Sequence, residues 1–214
     1  MSEAAPGLPD SASFATAERA ALAASLRKLI DVAMTSEDAD SETLVDVAHA
    51  VDQLAFRLGG ERDKGPGYNP RSHGDYLPRS PVVGEASPLS PRLDWEIAED
   101  GSVTGRGSFG AAYEGPPGYV HGGWVACAFD EMLGIANIAS GNPGMTARLT
   151  IHYRKPTPLF HELRFKAWVD RLVGRRIMSR GELWDGETLT AEADGIFVQP
   201  RPEVAEQYFG PRPD

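Results

Sequence analysis

Between Ser41 and Leu58 the apolar positions Leu44, Val45, Ala48, Val51, Leu54, Ala55 and Leu58 recur three and four residues apart, a spacing that lines them along one face of a helix and predicts that the face is buried. Ser41 suits the N-cap and Gly59 the C-cap. An Ala- and Leu-rich stretch over residues 16–34 predicts a helix before it. From Gly59 to Pro91 the periodicity stops: twelve of thirty-three residues are Gly or Pro, a composition that neither extends a helix nor pairs in a sheet. Such a long connector is expected to drape over the domain that follows. The pattern therefore divides the chain into a helical extension (1–58), a connector (59–90), a principal domain (91–199) and a short Pro-rich tail (200–214).

In the principal domain the period changes to two. Arg92-Leu-Asp-Trp-Glu-Ile alternates, Asp100-Gly101 marks a hairpin, and a second strand is predicted from Val103 to Phe109. An apolar helix is expected from Gly122 to Ser140, stopped by Gly141-Asn-Pro-Gly144. Four strand-like runs follow, over 145–154, 162–171, 175–183 and 188–199, broken at Lys155-Pro-Thr-Pro158, Val173-Gly174 and Asp185-Gly186. One helix between a strand pair and a strand quartet implies an α+β fold, an antiparallel sheet wrapped around a central helix.

Composition narrows the classes. A 41% hydrophobic content describes a globular chain, and no window approaches the roughly 18 apolar residues of a membrane span. With no basic, apolar leader, the chain is read as cytoplasmic. The single Cys127 gives neither a disulfide nor a metal template, so no metal and no redox chemistry are expected. A net charge of -10 argues against nucleic acid as a partner, but residues 144–180 carry nine basic side chains against Glu162 and Asp170. A phosphate-bearing small ligand fits that reversal, although any one of these residues also reads as part of a solvated strand face.

The chemistry concentrates in Tyr119-Val-His-Gly-Gly-Trp-Val-Ala-Cys-Ala-Phe-Asp-Glu-Met-Leu-Gly134. The amides of Gly122 and Gly123, at the start of a helix, lack intrahelical acceptors and point outward at the positive end of the dipole, where they can receive a carbonyl oxygen that gains negative charge. Asp130, two turns on and surrounded by small side chains, is positioned to act on water; it also reads as a solvent-facing carboxylate where helices pack closely. Glu131 competes for the role, but consecutive helical positions diverge by roughly 100° and cannot share a pocket. His121 orients substrate or loop, or is structural. Cys127 has no partner base at a readable spacing and reads as packing.

These residues resemble a known family. His121-Gly-Gly with an Asp nine residues after the His resembles the hot-dog fold acyl-CoA thioesterases of the PaaI-like type. Met145-Thr-Ala-Arg-Leu-Thr-Ile-His-Tyr-Arg-Lys-Pro-Thr-Pro-Leu159 is similar to the type called thioesterase superfamily members four and five. The resemblance covers about residues 91–199. It implies a hot-dog fold that dimerises by sheet pairing, as a homodimer or higher homo-oligomer, and hydrolysis of a fatty or aromatic acyl-CoA without a cofactor, coenzyme A being part of the substrate. Asp130 matches the family's general base or nucleophile, and the Gly122 amide the group that polarises the thioester carbonyl. Thr146 matches a threonine brought from the partner subunit, so that two subunits share each site. His121 joins the catalytic set, while Gly123, His152, Arg154, Lys155, Arg175, Arg176 and Arg180 fall where substrate is held. Relatives often have Asn where this chain has His152.

Two other readings remain open at this level. One is a hot-dog protein that binds or senses acyl-CoA without turning it over; a carboxylate at the catalytic position argues against it. The other is an enoyl-CoA hydratase or dehydratase, which usually pairs a His with an acid in another arrangement.

Overall fold

A computed structural model describes residues 16–58, 76–201 and 203–204. Helix α1 (Ala17–Thr35) is N-capped by Thr16, whose side chain accepts from the Arg19 amide. Helix α2 (Ser41–Arg57) is capped by Asp40 rather than Ser41: the Asp40 carboxylate accepts from Thr43 N at 2.8 Å. Leu58 closes it, and Gly59 lies outside the described residues. The face predicted to be buried is not. Helix α2 buries no residue, and Leu44, Val45, Val51, Leu54 and Leu58 are all exposed. Spacing alone aligned these side chains; it did not supply a surface for them.

After a one-turn helix, α3 (Tyr76–Arg79), the described part of the connector, residues 76–90, packs on the principal domain. Val82 and Leu93 belong to the same buried cluster as the sheet residues, and Ser90 Oγ donates to Val82 O at 2.7 Å, which keeps the irregular backbone supplied with partners. Strands β1 (Asp94–Ile97) and β2 (Val103–Gly107) form the expected hairpin, with Gly101 at φ 77° in its turn. A short 3-10 turn at Ala111–Tyr113, which the residue pattern does not announce, leads to helix α4 (Gly122–Ala139). Strands β3 (Met145–Tyr153), β4 (Leu163–Val173), β5 (Arg176–Asp185) and β6 (Thr188–Val198) complete one antiparallel sheet in the order β1-β2-β4-β5-β6-β3.

Helix α4 lies against the face that carries Phe165, Ile177, Leu183 and Phe197, all fully buried. Phe129 meets Phe165 edge to face, with ring centroids 5.6 Å apart. Glycines admit the helix side chains: a Cβ at Gly181 would lie 2.9 Å from the Phe129 ring, and one at Gly195 would lie 3.0 Å from Leu133. One polar pair crosses the apolar layer, Ser179 Oγ donating to Asn137 Oδ1 at 2.5 Å. This is the helix-in-sheet arrangement that the resemblance implies. Strand β3 is at one edge of the sheet, with no further strand beyond it among the described residues.

Candidate active site

The turn into α4 separates the two glycine amides. His121 is the N-cap, and its Nδ1 accepts from Gly123 N at 3.0 Å, so that amide is occupied and the ring proton is left to Nε2. Gly122 N–H meets no acceptor among the described residues and is the open donor at the positive end of the helix. Two bonds fix its neighbours: His121 N donates to Tyr113 O at 2.8 Å, and Tyr153 Oη donates to Gly122 O at 2.7 Å. Tyr153, at the end of β3 and on the same face as Leu149 and Ile151, was not singled out from sequence. Its place in that period-two series was the available signal.

Asp130 is half-buried, and its Oδ1 accepts from Thr146 Oγ1 at 2.7 Å. Both belong to one chain, whereas the resemblance implies a threonine brought from a partner subunit. The other carboxylate oxygen has no partner among the described residues. Glu131 is buried and does not share the half-open surface of Asp130. Burial, then the charges of Glu131 and Asp130, push the Cys127 thiol above the ordinary range, which lowers its thiolate fraction. Eight helical residues separate Gly122 from Asp130, about 12 Å along the axis. A reacting carbonyl must lie roughly 3 Å from both an amide and the attacking water, so one chain does not place these two groups on the same thioester.

The basic residues do not form one cluster. Alternation in β3, β5 and β6 sends His152 and Arg180 to the sheet face turned away from α4, where acids from β6 meet them. His152 Nε2 lies 3.1 Å from Asp194, Arg180 Nε 3.5 Å from Asp194, and Arg154 Nε 2.6 Å from Glu192. The charge reversal seen along residues 144–180 is thus partly cancelled in space by a strand outside that window. Lys155, Arg175 and Arg176 are exposed and make no ion pair among the described residues, although Arg175 Nη1 donates to Gln199 O at 2.9 Å. They stand at opposite ends: Lys155 lies two residues after Tyr153, while Arg176 pairs with Val198, itself opposite Met145, about 27 Å away along β3. Among the described residues no cluster of His, Cys, Asp or Glu could hold a metal, and no helix is long and apolar enough to cross a membrane.

A sheet wrapped on such a helix is the hot-dog fold. Residues 117–192 match the family model described as Thioesterase superfamily. It is 34% identical over 96 residues to the mouse (Mus musculus) acyl-coenzyme A thioesterase THEM4, covering 44% of this chain and 41% of that protein. It is 32% identical over 92 residues to the Xenopus laevis THEM4, covering 42% and 41%. The matches thus span only about two fifths of these relatives. A solved thioesterase superfamily protein superposes with a TM-score of 0.76 at 29% identity, over 89% of this chain and 93% of its own. That superposition extends well beyond the matched domain, into the N-terminal segments.

Proposed function

We propose that the protein is an acyl-CoA thioesterase, which hydrolyses a fatty or aromatic acyl-CoA to the free acid and coenzyme A at sites shared by two copies of the chain. The observation that carries this reading is a Gly122 amide with no acceptor among the described residues, together with an Asp130 carboxylate that has one oxygen held by Thr146 and the other without a partner among the described residues. The free oxygen takes a proton from water as the water oxygen attacks the thioester carbonyl. Negative charge collects on the carbonyl oxygen, where Gly122 N–H receives it; such a donor is worth roughly 2.7–4 kcal/mol of barrier. Collapse breaks the C–S bond, and the proton held by Asp130 passes to the departing thiolate.

The separation of about 12 Å along α4 is the reason for two copies. Symmetric pairing through the open edge of β3, where Met145 and Tyr153 are exposed, would bring the Asp130 of one copy to the Gly122 of the other. Lys155, at the Gly122 end of β3, and Arg175 and Arg176, at the Thr146 end, would then converge on the phosphates of one coenzyme A from different chains.

The test is thiol release from a panel of acyl-CoAs, short to long and aliphatic to aromatic, with Asp130→Asn alongside. Loss of at least about a hundredfold in that variant is the expected outcome. Wild-type release by Asp130→Asn would count decisively against the mechanism. Binding without release by the wild-type protein would favour the sensing alternative.

A further inference from the structure

The N-terminal extension reaches the turn that presents Gly122, through a continuous set of contacts. On α1, Arg27 Nη1 donates to Ser87 O at 2.7 Å and to Glu85 O at 3.5 Å, which fastens the helix to the connector. One turn later, the Asp31 carboxylate rests against Gly110 so closely that a Cβ there would lie 2.8 Å from Oδ1. The connector in turn holds Tyr113, whose hydroxyl donates to Leu89 O at 3.1 Å. The Tyr113 ring is buried, with its edge contacts to Phe109 and Trp124 at 5.4 and 5.0 Å between centroids. Trp124 belongs to the first turn of α4, and Tyr113 O accepts the His121 amide. Burial and, secondly, the charge of Asp31 push the phenol up to about 12, so it remains a donor across the neutral range.

We propose that the N-terminal extension is a brace for the carbonyl-polarising turn, with Tyr113 as the relay and Arg27 and Asp31 as positioning residues for the Gly122 amide. The amide has no acceptor among the described residues; it shares a peptide plane with the His121 carbonyl, which accepts from Trp124 N and Val125 N, and the bond from His121 N to Tyr113 O anchors the peptide in front of that plane. Its role in turnover rests on the thioesterase reading; the brace itself does not. A misplaced oxyanion donor affects the transition state more than ground-state binding of coenzyme A, so loosening the brace should lower kcat and leave nucleotide affinity alone.

The experiment compares Arg27→Met, Arg27→Lys and Tyr113→Phe in the full chain, reading thiol release, coenzyme A affinity, and amide hydrogen exchange over residues 113–121. Tyr113→Phe keeps the ring and removes only the bond to Leu89. The expected result is a kcat about tenfold lower in Arg27→Met and Tyr113→Phe, with unchanged coenzyme A affinity and faster exchange of the His121 amide. Arg27→Lys, which retains a donor, restores most of the loss. Wild-type kcat in both variants despite faster exchange would overturn the positioning role, and unchanged exchange would overturn the brace. If the wild-type protein releases no thiol from any acyl-CoA, the thioesterase reading fails on its own and the exchange arm still decides whether the extension holds the turn.

Discussion

Helices α2 and α4 have 17 and 18 residues and each carries aligned apolar side chains, yet α4 buries nine residues and α2 none. In α4 the opposing surface was encoded elsewhere in the chain, by period-two strands and by glycines at 181 and 195 that leave room for Phe129 and Leu133. No such complement to α2 occurs among the described residues. An amphipathic pattern specifies which side of a helix is apolar; whether that side is covered depends on a second, independent pattern.

The sharpest way to break the comparison is to truncate one residue in each helix. Phe129→Ala should cost about 3–5 kcal/mol of stability, because the ring is fully buried against Phe165 and Gly181 and its loss leaves a cavity. Thermal or denaturant unfolding measures this, and a loss below about 1 kcal/mol would mean that the interior is not packed as described. Leu54→Ser should change stability by less than about 0.5 kcal/mol, since Leu54 is 52% exposed. A cost above about 2 kcal/mol would show that the α2 face is covered in solution.

The smallest expected effect concerns the α2 cap. The backbone and then the side-chain hydrogen bonds with Thr43 hold the Asp40 carboxyl below its usual range. A depressed carboxylate stabilises above its unfolded pKa and loses that contribution as pH falls through the folded value. Helical signal from α2 should therefore fray in acid, below the ordinary carboxylate range, while the sheet persists. Circular dichroism with Asp40→Ala as control reads this; an acid response unchanged in Asp40→Ala would remove the cap from the account.

Much of the fold was legible because two periods and several turn signals agreed. The Asp100-Gly, Val173-Gly and Asp185-Gly breaks all coincide with glycines at positive φ, a conformation other residues rarely adopt. The cap was misplaced by one residue because Asp40 and Ser41 are comparably good caps. The place of Val82 in the core was hidden within a Gly- and Pro-rich stretch. At the candidate site, the sequence read the Gly122 and Gly123 amides alike and did not show that His121 would occupy the Gly123 amide. The spatial charge balance was not legible because a window along the chain sums charge by position, whereas Glu192 and Asp194 reach Arg154, His152 and Arg180 across strands.

The central claim is that two chains build each site, and complementation tests it most directly. Gly122→Pro removes the amide proton at the first helical position, where proline is tolerated and where His121, at φ -60° and ψ 131°, already has the extended conformation that precedes proline. Asp130→Asn removes the base. Each variant alone should be inactive, whereas refolding or coexpressing the two together should restore about a quarter of wild-type thiol release, since half of the symmetric dimers are mixed and each carries one intact site. A mixture no more active than either variant alone would contradict the account.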